Sequence, residues 1–235
     1  MGISKEEAVK ALQTRDKVYV AYAQATKLPY VTCDEETFND QAWIFATEEE
    51  IKEFGKKCLE DKILLLGMRT EGEEKIEVEL SDVAKQADMS KIEENKRPLF
   101  NPALQLSGIY FMQELRRPVK KEERKNMREM EEEVLANIVK SSFLVAMAAD
   151  ENDPKKVNIP YLKTKDEKIL QPVFTDVMEF EKFAKGKKMR VAKVPFAKLL
   201  DLMIEQAHAY VINPQGFNLV LDREQLKRIA GVINK

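Results

Sequence analysis

The stretch Phe143-Leu144-Val145-Ala146-Met147-Ala148 reads as an apolar strand, and Val18-Tyr19-Val20-Ala21-Tyr22-Ala23 has the same pattern earlier in the chain. The offset that aligns them also sets Val9 on Val134 and Ala11 on Ala136. Working outward, Leu28-Pro29-Tyr30-Val31 falls on Ile159-Pro160-Tyr161-Leu162. Trp43-Ile44-Phe45 onward to Phe54 runs without a gap along Pro172-Val173-Phe174 to Phe183, with Phe45, Glu50 and Phe54 identical to Phe174, Glu179 and Phe183. Asn101-Pro102 answers Asn213-Pro214, and Gln113-Glu114-Leu115-Arg116-Arg117 answers Glu224-Gln225-Leu226-Lys227-Arg228. Short matches that keep one order, at apolar strand positions and Pro or Asn-Pro corners, imply a duplicated domain.

The local patterns give each copy the order helix, three strands, helix, strand, helix, hairpin, helix. In the second copy Met127, Met130, Val134, Ile138 and Val139 form the apolar stripe of a half-buried helix. The equivalent in the first copy, Lys5 to Thr14, is shorter. Thr47 and Thr175-Asp176 stand where a side-chain oxygen can accept a free N–H of a helix's first turn. A strand near Met189–Val194 leads to a helix from Pro195 that places Leu199, Leu200, Met203 and Ala207 on one side. Tyr210-Val211-Ile212 and Phe217-Asn218-Leu219-Val220-Leu221 are hairpin strands around an Asn213-Pro214-Gln215-Gly216 turn. Asp222 with Gln225 has capping-box spacing. The expectation is an α+β chain of two tandem related domains, each a largely antiparallel sheet with helices packed on it. The first spans residues 1–117, a charged linker 118–128, and the second 129–235.

Composition narrows the function classes. Among 235 residues 44% are hydrophobic and 34% charged, enough to fill a core and solvate a surface. A chain of this length buries roughly 70% of its unfolded surface without a metal or disulfide staple. With 39 basic against 41 acidic residues the net charge is −2, which provides no global field for nucleic acid or an anionic membrane. Two isolated cysteines, Cys33 and Cys58, fit a cytosolic chain. The N-terminus turns acidic at once, with no apolar signal region, and runs such as Ile63-Leu64-Leu65-Leu66 are too short to cross a bilayer. A soluble cytoplasmic protein is expected.

In the second copy, Ile159-Pro160-Tyr161, Pro172-Val173-Phe174-Thr175, Phe180-Glu181-Lys182-Phe183, Val194-Pro195-Phe196 and Ile212-Asn213-Pro214 through Leu219-Val220-Leu221 resemble the SseB N-terminal domain, named for enhanced serine sensitivity. The resemblance covers nearly all of residues 129–230. It is weaker in the first copy, which has a longer insertion around Thr70 to Lys75 and lacks the proline near Ile44. It implies a bacterial α+β module without known enzymatic activity, linked at best to regulation of amino-acid metabolism. It supplies no site residue.

The reactive residues do not assemble into a motif. His208 is the only histidine, so the Glu205-x-x-His208 spacing has no second pair with which to build a di-metal site. No metal or cofactor is expected. A thiol–imidazole site would need Cys33 or Cys58 to reach His208. Gly55-Lys56-Lys57 and Gly186-Lys187-Lys188 lack the earlier glycine and following Ser or Thr of a phosphate loop, and are expected to end helices. Arg116, Arg117, Lys120, Lys121, Arg124, Lys125 and Arg128 are interrupted by glutamates and carry no aromatics for stacking, the pattern of a solvated linker helix.

Leu99 through Met112 is apolar, low in charge and followed by Arg116-Arg117. It reads either as the buried hairpin of the first copy or as a groove or sheet edge that receives a partner strand beneath an arginine rim. On the second reading Leu104, Leu106, Tyr110, Arg116 and Arg117 are the candidate binding residues. The function expected is a non-enzymatic binding or regulatory protein, with a protein partner or self-association. The alternatives are a structural assembly protein, or an enzyme with an unrecognised carboxylate or thiol site between the domains.

Overall fold

The computed structural model describes residues 18–23, 25–34, 36–45, 47–60, 65–66, 77–78, 101–117, 127–149, 157–187 and 189–233. The expected opening helix from Lys5 to Thr14, the insertion at 70–75, the basic run at 120–125 and the side chain of Cys58 lie outside the described residues. Contacts divide the chain into two units, Met1–Arg97 with Arg116–Pro118, and Pro98–Leu115 with Val119–Lys235.

In the first unit, short strands are broken by turns. They are β1 (Val18–Val20), β2 (Tyr22–Ala23), β3 (Leu28–Pro29), β4 (Val31–Cys33), β5 (Asp40–Ala42), β6 (Ile44–Phe45), β7 (Leu65–Leu66) and β8 (Glu77–Val78). They pair antiparallel as β6-β1-β8, β3-β2-β7 and β4-β5. Helix α1 (Glu48–Glu60) starts with a reciprocal cap: Glu50 N–H donates to Thr47 Oγ1, and Thr47 N–H to Glu50 Oε2. It runs through Gly55, which was expected to end it; that glycine is buried inside the helix. Between β4 and β5 the Thr37 N–H and hydroxyl both donate to Asp34, holding its carboxyl below the ordinary range.

The sheet of the second unit is built on β9 (Ser142–Ala149). β13 (Arg190–Pro195) pairs along one side of β9 and β12 (Ile169–Phe174) along the other, both antiparallel. β14 (Ala209–Ile212) runs parallel to β12, and β15 (Leu219–Asp222) returns antiparallel to β14 as the last strand. β10 (Val157–Asn158) and β11 (Leu162–Lys163) extend β9 and β12. The chain is thus α+β and largely antiparallel. The parallel β12–β14 pair needs a long crossover. That crossover holds helix α4 (Val177–Ala184), β13, a 3₁₀ turn at Phe196–Lys198 and the short helix α5 (Leu199–Leu202).

The strand core shows why the two halves of the sequence align. Tyr19 pairs with Phe45 and Val20 with Ile44; their counterparts Leu144 and Val145 pair with Phe174 and Val173 in the same register. Ala21, Phe45, Ile51 and Phe54 pack together in the first unit, and Ala146, Phe174, Phe180 and Phe183 in the second. The rings of Phe45 and Phe54 lie 5.0 Å apart at 44°, and those of Phe174 and Phe183 5.2 Å apart at 44°. Matched identities therefore occupy matched packing positions.

Two further expectations fail. Residues Pro102–Arg116 form a helix, α2, and not a hairpin. Pro102 opens it, where a missing N–H costs nothing. Leu104, Ile109, Tyr110 and Met112 are buried within it, so no clean stripe marks the helix in the sequence. Residues 98–115 group by their contacts with the second unit. Asn101 Nδ2 donates to the carbonyls of Ser142 and Thr175, and Gln105 Nε2 to Asp176 Oδ2. Gly108 faces Phe217, whose ring would lie 3.1 Å from any added Cβ.

The second failure is the helix expected to reach Ala207, which stops at Leu202 as Met203 turns extended. The fully buried Gln171 side chain holds this break. Its Oε1 accepts the Ile204 N–H at 2.8 Å and its Nε2 donates to the Leu202 carbonyl at 3.2 Å. Gln171→Leu keeps the volume but strips both backbone groups of a partner, so unfolding free energy should fall by about 2 kcal/mol. Urea denaturation followed by circular dichroism measures it.

Candidate functional site

Helix α3 (Met127–Lys140) turns Val134 and Ile138 into the core, as its stripe requires. Beside those two residues lies a second face, which takes in Val139 from the expected stripe. Glu131, Glu132, Leu135, Ala136, Val139 and Lys140 recur at helical spacing and all line one groove of about 660 Å³. Leu219, Val220 and Leu221 of β15 form another wall, with Phe111 of α2 and Gln225, Arg228 and Ile229 of helix α6 (Arg223–Ile233). Helix α6 is fixed next to β15 by a reciprocal cap: Gln225 N–H donates to Asp222 Oδ1 at 2.7 Å, and Asp222 N–H to Gln225 Oε1 at 2.9 Å. The groove is of ligand-site size, apolar inside with charges at its rim.

A buried polar cluster gathers where β12 and β14 end. Asn213, at a left-handed φ of 47°, accepts the Thr175 N–H on Oδ1 and donates from Nδ2 to Thr175 Oγ1. Thr175 Oγ1 donates to Asp176 Oδ2, and Asp176 Oδ1 caps α4 by accepting the Glu179 N–H. Lys182 donates to Glu179 Oε1. These groups bind one another and fix the turn before β15. Tyr210 behaves similarly: its hydroxyl donates to the Leu199 carbonyl, and burial pushes the phenol far above its ordinary range, so it stays a donor.

The binding residues expected from the sequence are placed on α2 and just beyond it. Leu104 and Tyr110 are buried, Leu106 and Arg117 half-buried and Arg116 exposed, and none lines the groove. Phe111, inside the same apolar stretch, does line it. His208 sits in a bend outside any helix, where its Nδ1 accepts the Ile169 N–H. Gly186, at φ 77°, follows the end of α4 as expected. Among the described residues no three His, Cys, Asp or Glu side chains converge as a metal centre requires, and no helix is long and apolar enough to cross a membrane. The missed signal was the width of α3's apolar surface, since Leu135 and Ala136 continue it past the core stripe.

No curated protein and no solved structure matches the chain. Residues 120–228 match the family model described as the SseB protein N-terminal domain, a span that holds α3, the whole seven-stranded sheet and most of the groove. This part of the chain is similar to the SseB N-terminal domain.

Proposed function

We propose that the chain is a non-catalytic bacterial binding protein of the cytoplasm, acting in regulation, and that the groove of the second unit is its receptor surface. The groove carries this reading: its lining is mostly apolar, it is open along the last strand of the sheet, and its charges stand at the rim. Thr175, Asp176 and Asn213, buried nearby, bond to one another and to the backbone, the arrangement of a scaffold. The shared register and the matched phenylalanine pairs support reading the first unit as a diverged copy of the same domain.

Leu135→Lys tests the groove directly. Leu135 is half-buried on α3 outside the core stripe, so the variant should keep the wild-type melting temperature to within a few degrees. Wild-type and variant full-length chains are immobilised side by side, and stoichiometric partners from cytosol of the source bacterium are quantified by mass spectrometry. Partners retained by wild type and reduced at least tenfold on the variant support the reading. Equal retention on both moves binding away from the groove.

A further inference from the structure

The two edges of the second unit's sheet are treated differently. β13 ends one side and carries Arg190, Lys193 and Pro195, residues that discourage strand addition. β15 ends the other with Leu219-Val220-Leu221 in succession, Val220 being 42% exposed. An unprotected apolar edge is a template for another strand. Helix α3 stands over the same groove and gives its occupant a helix face as well.

The geometry points to a second copy of this chain as that occupant, docked about a twofold axis through the groove; this rests on the groove being the receptor surface. Both walls are self-complementary. If β15 pairs antiparallel with itself about Val220, Leu219 faces Leu221 of the second copy, and Asn218 faces Asp222 of the second copy. The pairing therefore places no like charges opposite one another. On α3, leaving aside Val134, which turns into the core, the groove-lining residues Glu131, Glu132, Leu135, Ala136, Val139 and Lys140 are symmetric about the point between Leu135 and Ala136. Two such helices packed antiparallel set Glu131 against Lys140 of the second copy, and Glu132 against Val139 of the second copy. Small Ala136 then lies opposite Leu135 of the second copy at the crossing. Glu132 already pairs with Arg128 of its own helix, so Glu131–Lys140 is the charge pair that fixes direction. A parallel packing would instead set Glu131 against Glu131 and Lys140 against Lys140. One isologous contact thus covers the apolar edge and α3's second face together.

Sedimentation equilibrium of the full-length chain tests the assignment. Wild type should show a concentration-dependent monomer–dimer equilibrium, and Val220→Arg should be monomeric throughout. Glu131→Lys and Lys140→Glu each set like charges together twice per dimer and should weaken association about tenfold. The double swap restores opposite charges and should return the dissociation constant to within about threefold of wild type. Melting temperatures of all four variants separate folding effects from docking. A wild-type chain that stays monomeric at hundreds of micromolar overturns the proposal, as does a dimer indifferent to Val220→Arg and the swaps. In either case, partners lost on Leu135→Lys would leave the groove a receptor for another protein; equal retention would remove both readings.

Discussion

A fragment beginning at Val119 should fail to unfold cooperatively, whereas one beginning at Pro98 should show a single sigmoidal transition. The matched family span starts at residue 120 and so leaves out α2. Yet α2 supplies the Asn101 bonds to Ser142 and Thr175 and the Gln105 bond to Asp176. Asn137 Nδ2 on α3 donates to Ser107 Oγ at 3.0 Å, and Gly108 lies against the fully buried Phe217. Removing α2 strips a cover from Phe217 and from a polar cluster whose members are then only partly satisfied. Uncovering a phenylalanine costs about 1.5–3 kcal/mol, and each orphaned buried group about 1–3 kcal/mol. Together these approach the 5–15 kcal/mol that typically holds a domain folded, an order-of-magnitude range. Thermal melts of the two fragments decide it. Equal cooperativity would show that α2 adds nothing to the second unit's stability.

Asn213→Ala should be the most damaging single substitution near the groove, lowering unfolding free energy by about 4 kcal/mol. Asn213 is fully buried and uses both ends of its amide on Thr175. Alanine leaves the Thr175 N–H without an acceptor and the Thr175 hydroxyl without a donor, at about 1–3 kcal/mol for each buried group stranded. It also removes the short polar side chain that makes the left-handed φ of 47° tolerable for asparagine, leaving alanine strained there by about 1 kcal/mol. Asn213→Gly loses the same bonds without that strain, so it should fall less far. Chemical denaturation of the three proteins gives the ordering. If alanine and glycine behave alike, the backbone conformation contributes nothing. If both match wild type, the bridge between β12 and the following turn is dispensable.

Much of the fold was legible because its signals are local. The Thr47–Glu50 and Asp222–Gln225 caps, the left-handed glycine after α4 and the strands β12 to β15 follow from side chains a few residues apart. The Phe45/Phe54 and Phe174/Phe183 matches were visible as identities because both pairs perform the same packing task. Helix α2 was misread because burial on several sides erases the periodicity that distinguishes a helix from a strand. Helix α5 was drawn too long because Gln171, distant in sequence, captures the backbone at Leu202 and Ile204.

By itself, then, the sequence determined the class, the order of most elements, the caps and the likeness of residues 120–228 to the SseB domain, since each depends on neighbours along the chain or on a motif carried within it. Only the tertiary structure decided which unit α2 belongs to, and that Leu135, Val139, Val220 and Ile229 line one groove. Those residues come from α3, β15 and α6, and nothing in their spacing fixes how three elements far apart in sequence meet. Sheet order, the parallel crossover and helix packing bring them together, and these are set by burial summed over the whole unit.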